Sequence, residues 1–251
     1  MKKPNILALI PARGGSKGIP RKNIIDIAGY PVIAYSIAVA KLSKYINRVI
    51  VTTDDAEIAD VSRRFGAEAP FLRPKEISGD KSLDIEFFHH ALEWLKKNEE
   101  YSPDLIVHLR PTTPFRDFRV VDEAITDMIK DKKATSLRSS EIFDRESPYK
   151  MFKAEGAYYD FFGKEDFKKD EEYYNYPRQA FPVTYQPNGY VDIVKPSVLL
   201  KTGMLHGKRI RIFVTEKSVE LDNLMDVESA RKVSSEAKYK ELMDFLKKMK
   251  R

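Results

Sequence analysis

The sequence has no cysteine in 251 residues, so disulfides and thiolate metal sites are excluded. No apolar run approaches the roughly 20 residues that a membrane helix needs. Met1-Lys2-Lys3 leads straight into a core strand without the apolar region of a signal peptide, so a cytoplasmic location is expected. Histidine is scarce, at four residues. His89 and His90 are adjacent on a predicted helix, where they project about 100° apart and do not share a metal. Internal repeats, low-complexity segments and linkers are missing too. With 42% hydrophobic residues, the chain has enough apolar content for one domain over residues 1–251, with an arm or lid inserted at about 140–185. The net charge is +6, but 44 basic residues interleave with 38 acidic ones. That pattern favours an anionic small substrate for the cations of one loop, and a solvated helix face for the last basic cluster, over nucleic acid.

What the chain does have is a glycine- and cation-rich loop directly after its first strand. Ile6-Leu7-Ala8-Leu9-Ile10 is short, continuous and apolar, which predicts a buried strand. It opens into Pro11-Ala12-Arg13-Gly14-Gly15-Ser16-Lys17-Gly18-Ile19-Pro20-Arg21-Lys22-Asn23. Glycines let backbone N–H groups approach an anion, and cations neutralise phosphate. An open α/β sheet puts its ligand at the carboxyl ends of its strands. The loop lacks the Gly-Lys-Ser/Thr ending of a Walker A motif and the Gly-x-Gly-x-x-Gly spacing. Its glycines and lysines alone describe a solvated basic turn as well as a phosphate site.

The remaining chain alternates strand and helix. Pro31 begins an apolar helix, and Arg48–Thr53 reads as a second buried strand. Thr53 or Asp54 is the expected cap of a helix from Ala56 to Phe65. Strand–helix–strand order implies a right-handed crossover and a parallel sheet. Glu68–Phe71 suggests a short strand, 83–97 and 118–130 suggest helices, and Asp104–Leu109 a strand with a buried, hydrogen-bonded His108. Further strands are expected at 134–138, 190–194 and 209–214, a short helix from Pro196 to Gly203, and one closing helix from about Asp226. Between about Ser140 and Tyr185 aromatic and charged residues crowd together without a clear period. A loop that long in a compact domain is usually functional or covered. Glu220 and Asp222 would project to one face of an extended segment, where two carboxylates suit a hard cation such as Mg²⁺; a pair of surface acids is the plainer reading.

The complete loop string resembles the N-terminal signature of the acylneuraminate cytidylyltransferases, nucleotidyltransferases that activate sugar acids with CTP. Arg110-Pro111-Thr112-Thr113-Pro114-Phe115-Arg116, Pro177-Arg178-Gln179 and Pro187-Asn188-Gly189 are similar to further blocks of that family, and the likeness spans about residues 5–230. It implies a Rossmann-like three-layer α/β fold with a mostly parallel sheet, and a dimerisation arm that closes a partner's site in a homodimer. It also implies transfer of CMP from CTP to a 2-keto-3-deoxy sugar acid, with Mg²⁺ as cofactor. By this likeness Ala12, Arg13, Gly14, Gly15, Ser16, Lys17, Lys22, Asn23, Arg73 and Ser82 hold the nucleotide. Arg110, Thr112, Arg178, Gln186 and Asn188 face the sugar acid. Asp222 and Glu220 hold the metal, and Arg13, Lys17, Lys22 and Asp222 act on the reacting phosphates.

Three positions depart from the family's pattern. Arg110 stands where glutamine is usual, Gln186 where many members have arginine, and Glu220 where aspartate is usual. The first two suggest one substrate whose cationic grip has changed sides, since a guanidinium sets the orientation of a carboxylate; Arg110→Gln is then expected to alter the sugar-acid KM. The rival readings are a Kdo cytidylyltransferase or another sugar nucleotidyltransferase, and a nucleotide- or RNA-binding protein without catalysis. Lys22-Asn23-Ile24 and Pro187-Asn188-Gly189 favour the nine-carbon branch, and an RNP-type aromatic string is lacking.

Overall fold

The computed structural model describes residues 3–16, 18–169 and 171–249. Its centre is a six-stranded sheet made of β1 (Ile6–Pro11), β4 (Arg48–Thr52), β5 (Leu105–His108), β6 (Ser136–Ile142), β9 (Tyr185–Val194) and β10 (Ile210–Val214), in the order β10-β6-β9-β5-β1-β4. β1 runs parallel to both β4 and β5, and β10 runs parallel to β6. β9 is antiparallel to both of its neighbours. The sheet is thus mostly parallel, as expected, and one long reversed strand joins its two parallel halves.

Burial on both faces explains why β1 reads as an unbroken apolar run. Ile6, Ala8 and Ile10 pack with one cluster, and Leu7 and Leu9 with another. The first cluster lies under α1 (Val32–Leu42), α2 (Ala56–Arg64), α4 (Phe118–Lys130), α6 (Leu224–Val233) and α7 (Lys240–Met249). Every residue of α1 from Val32 to Ala40 is buried, the mark of a helix enclosed by sheet and helices rather than lying on a surface. The second cluster is closed by α3 (Asp84–Glu99), through Phe87, Phe88, Ala91, Leu92 and Leu95, and by Leu199 of α5 (Pro196–Thr202). This gives the three layers that the sequence suggested.

Several local expectations are corrected. Asp55, rather than Thr53 or Asp54, caps α2, accepting from the Ile58 N–H at 3.0 Å. Asp54 is engaged elsewhere, accepting from Gly14 N–H at 2.9 Å. Glu68–Phe71 forms only a single bridge, Ile50 to Glu68. The closing helix is two helices, α6 and α7, separated by a 3₁₀ turn at Ala237–Tyr239. His108 is buried between Phe87 and Phe88, but its Nε2 has no hydrogen-bond partner.

Two small hairpins complete the chain. One pairs β2 (Asp26–Ile27) with β3 (Tyr30–Pro31). The other pairs β7 (Phe152–Glu155) with β8 (Tyr158–Phe161), inside the stretch without a clear period. Around it, stacked rings join Phe161 to Tyr174, Phe167 to Tyr173, and Tyr149 to Phe181. Tyr158, Tyr159, Phe152 and Phe162 remain exposed. Among the described residues, no helix is long and apolar enough to cross a membrane.

Candidate active site

The carboxyl ends of β1 and β5 converge on a cavity of about 320 Å³ lined by Arg13, Ser16, Lys22, Asn23, Arg73, Ser82, Asp84, Arg110 and Thr112, among others. Eight of the residues singled out from the sequence thus meet in one place. Lys17 lies outside the described residues. Ala12 is buried behind the cavity, and its N–H donates to the Thr52 carbonyl at 3.0 Å, which anchors the start of the loop to β4.

Contacts made by its own residues shape the loop. Asn23 Nδ2 donates to the Arg13 carbonyl at 2.9 Å, closing the loop across its base. At Gly14 a Cβ would lie 2.8 Å from Asp55 Oδ2, so glycine is what allows the loop to sit against the α2 cap. A Cβ at Gly18 would lie 2.9 Å from the Asp222 carbonyl, whereas at Gly15 it would meet nothing within 4 Å. Arg21 adopts a left-handed φ of 54° and pairs with Glu57 at 2.5 Å and Asp55 at 3.6 Å.

On the far wall, Arg73 is 6% exposed, donates to the Thr52 carbonyl at 2.6 Å and lies 5.0 Å from the Phe87 ring centre. Burial pulls its pKa down to about 10, still far above neutrality, so it remains a cation. Ser82 Oγ accepts from Gly79 N–H at 3.0 Å and ties the 79–82 turn against the wall. Arg110 donates to Asp192 at 2.9 Å and to Asp84 at 3.0 Å. Burial works against its charge, but Asp192 and then Asp84 outweigh it and raise its pKa.

A second, larger groove of about 1060 Å³ adjoins the first. Gln186, Asn188, Glu220 and Asp222 line it, with Glu141, Asp144, Arg145 and Lys217. Lys22 is the hinge between the two spaces: it lines the first, and its Nζ lies 3.4 Å from Asp222 Oδ1 and bonds the Leu221 carbonyl. Leu221 is fully buried and its N–H donates to the Thr112 carbonyl at 2.8 Å, which fixes the flanking Glu220 and Asp222 at the end of β5. Burial, and then the charge of Asp222, raise the pKa of the Glu220 carboxyl.

Arg110 and Gln186 line different spaces of this chain, the first cavity and the groove respectively. Arg178 lines neither; it stands beside a third hollow of about 370 Å³ with Arg145 and Phe181. Asn188 lies buried with its Nδ2 2.7 Å from Thr215 Oγ1, within β9 where its register against β6 shifts and Gly189 takes φ +63°.

Three further positions of the site carry no assignment from the sequence. Arg116 is fully buried, and its guanidinium donates to the carbonyls of Arg110, Thr113, Gly189 and Tyr190 and to Ser36 Oγ. It staples the end of β5 to the start of the buried part of β9. Burial pulls its pKa down to about 9. Asp192 and Asp84 hold Arg110. The only sequence signal for them was an aspartate within an apolar strand and one at a helix start, and neither names its partner.

The arrangement sets a cation-lined cavity, suited to a polyphosphate, against a groove bearing two adjacent carboxylates. The family model described as cytidylyltransferase matches residues 7–250. A pseudaminic acid cytidylyltransferase of Campylobacter jejuni is 29% identical over 228 residues, covering 90% of this chain and 94% of that protein. The N-acylneuraminate cytidylyltransferase of Escherichia coli O18:K1:H7 is 32% identical over 229 residues, and the match spans 51% of its length. A CMP-N,N'-diacetyllegionaminic acid synthase of Legionella pneumophila is 38% identical over 122 residues, 48% of this chain and 51% of that one. The fold is shared with a CMP:2-keto-3-deoxy-manno-octonic acid synthetase solved with CTP, at a TM-score of 0.65 and 18% identity over 92% of this chain and 98% of that one. The chain is a member of the cytidylyltransferase family, and so a nucleotidyltransferase.

Proposed function

We propose that the protein transfers CMP from CTP to the anomeric hydroxyl of a nine-carbon 2-keto-3-deoxy sugar acid of the sialic, legionaminic or pseudaminic class, releasing pyrophosphate. The observation that carries this reading is the junction at Lys22, where the cavity lined by Arg13, Arg73 and Arg110 meets the groove of Glu220 and Asp222. The named activities of the relatives support it.

The sugar hydroxyl gives up its proton to solvent as its oxygen attacks the α-phosphorus, and the bond from that phosphorus to the β-phosphate's bridging oxygen breaks, releasing pyrophosphate. Arg13 and Lys22 stabilise the charge that builds on the departing pyrophosphate, joined in this role by Lys17. Arg73 and Ser82 bound the nucleoside end. Arg110 holds the acid's carboxylate by a charge-assisted hydrogen bond.

Glu220 and Asp222 fit a magnesium ion. Burial, and then the neighbouring charge of Asp222, raise the proton affinity of Glu220, and a divalent cation relieves both costs. Among the described residues no three acidic or histidine side chains are grouped to hold a metal. Two carboxylates, with phosphate oxygens and water completing the shell, is a common magnesium arrangement. When bound, the ion polarises the phosphate under attack.

The exposed rings of the β7–β8 hairpin support a homodimer in which this arm completes the partner's site. The need for CTP fits a cytoplasmic enzyme.

The test is pyrophosphate release with Mg²⁺, each of the four nucleoside triphosphates, and separately N-acetylneuraminic, legionaminic, pseudaminic and Kdo acids. Release with CTP and a nine-carbon acid is expected. Release with Kdo alone, or with another nucleotide in preference to CTP, contradicts the proposal.

A further inference from the structure

Resting on that functional reading, we infer that Asp192 and Asp84 are paired positioning residues for Arg110: Asp192 holds the guanidinium permanently, and Asp84 keeps the place that the sugar acid's carboxylate takes.

Sheet register builds the permanent half. His108, Asp192 and Arg138 stand abreast on β5, β9 and β6, so their side chains share one face. Asp192 is 1% exposed. A carboxylate at that depth has no water to turn to, so its charge must be met by protein. Two arginines meet it: Arg110 Nη1 at 2.9 Å and Arg138 Nε at 3.4 Å. The main chain of Arg110 is fixed as well, because its carbonyl accepts from Arg116 Nη2 at 2.8 Å and from Ser36 Oγ at 3.3 Å. Backbone and one edge of the guanidinium are therefore both set before any ligand arrives.

The exchangeable half is the other edge. Arg110 Nη2 lies 3.0 Å from Asp84 Oδ2, and the Asp84 side chain is 44% exposed. Asp84 is the first residue of α3, so its carboxylate, once released into solvent, stays beside the positive end of that helix. Exchanging Asp84 for a ligand carboxylate conserves charge and replaces one charge-assisted bond with another. Asp192 offers no such exchange. Arg110 also stands at the border of the two substrate spaces: it lines the cavity, and a Cβ at Gly189, next to the groove residue Asn188, would lie 3.9 Å from its Cδ and Nη1. An acid seated in the groove reaches it there.

The experiment is steady-state pyrophosphate release by the full chain, with both substrate KM values measured for wild type, Asp84→Asn and Asp192→Asn. Asp84→Asn removes the competing anion and is expected to lower the sugar-acid KM about two- to fivefold, the span that a half-exposed ion pair supports. Asp192→Asn is expected to raise that KM by at least about tenfold, with the CTP KM held within about threefold. A purely structural role for Asp192 would move both KM values and stability together. If Asp192→Asn does not fold, the exposed Asp84 variant decides alone. An unchanged or raised acid KM in Asp84→Asn overturns the inference, as does a CTP KM that follows the acid KM in Asp192→Asn. A wild type that releases pyrophosphate while the variants keep its acid KM defeats this inference only; a wild type that releases none with any acid defeats the functional reading and this inference with it.

Discussion

Adding one methyl group at Gly18 separates loop position from loop stability. A Cβ there would stand 2.9 Å from the Asp222 carbonyl, and ordinary contact begins at 3.4 Å. The obstacle is backbone, so it has no flexible end to swing aside. Loop and carboxylate segment must part by about half an ångström. A misplacement of about 1 Å in a reacting site costs roughly 100-fold, so about half that distance predicts a fall in kcat of about tenfold. Stability should barely change. The steric cost of a small overpacking, about 1 kcal/mol, is offset by the lower chain entropy that alanine gives the unfolded state, about 0.4–1 kcal/mol. For a chain of this size the melting temperature then moves by less than about 4 °C. Gly15→Ala is the contrast, since among the described residues its methyl meets no atom within 4 Å. If the open side of the loop takes CTP, as proposed, the variant should raise the CTP KM and leave kcat near wild type. Both variants are read by pyrophosphate release and thermal melting. A Gly18→Ala enzyme with kcat within about twofold of wild type would refute the reasoning.

Three further predictions follow from other parts of the molecule. Arg73→Met should raise the CTP KM by about tenfold or more, because a charge-assisted contact is worth about 1.5–3 kcal/mol, and isothermal titration with CTP should show the same loss; unchanged affinity would remove Arg73 from the nucleotide site. Burial holds the phenols of Tyr35 and Tyr190 above their unfolded value of 10.0, so in the unfolded chain they lose protons first and stability falls as pH rises past that value. Absorbance at 295 nm should therefore show these two tyrosines ionising together with the loss of far-UV circular dichroism, and gradual ionisation of every tyrosine in a folded protein would contradict their burial. Replacing the exposed Tyr158 and Tyr159 with aspartate should shift the protein from dimer to monomer in light scattering; a wild type already monomeric at micromolar concentration would reject the dimer.

The parts of the fold that were legible in the sequence are those governed by nearest neighbours. β1 was readable because burial on both faces leaves no polar residue in it, and α4 because its apolar residues recur on one face. The glycine- and cation-rich loop was readable because its glycines, cations and preceding strand are contiguous. The α2 cap was misplaced because Thr53, Asp54 and Asp55 offer three consecutive side-chain oxygens, and the choice among them depends on Gly14, some 40 residues earlier. The β7–β8 hairpin was invisible because all four residues of β7 are exposed, so no in–out alternation marks it. Arg116 and Asp192 have the same difficulty at greater range. A buried charge is recognised by its partners: both arginines on Asp192 lie more than 50 residues away, and so do Tyr190, Gly189 and Ser36, which complete the set around Arg116.

The measurement that tests the central claim most directly is a ³¹P NMR time course of the protein with CTP, Mg²⁺ and a nine-carbon sugar acid. Transfer at the α-phosphorus predicts loss of the three CTP resonances and growth of one phosphodiester and pyrophosphate in equal amounts. Inorganic phosphate with CDP, or a CTP spectrum that does not change with any acid of the class, would contradict it.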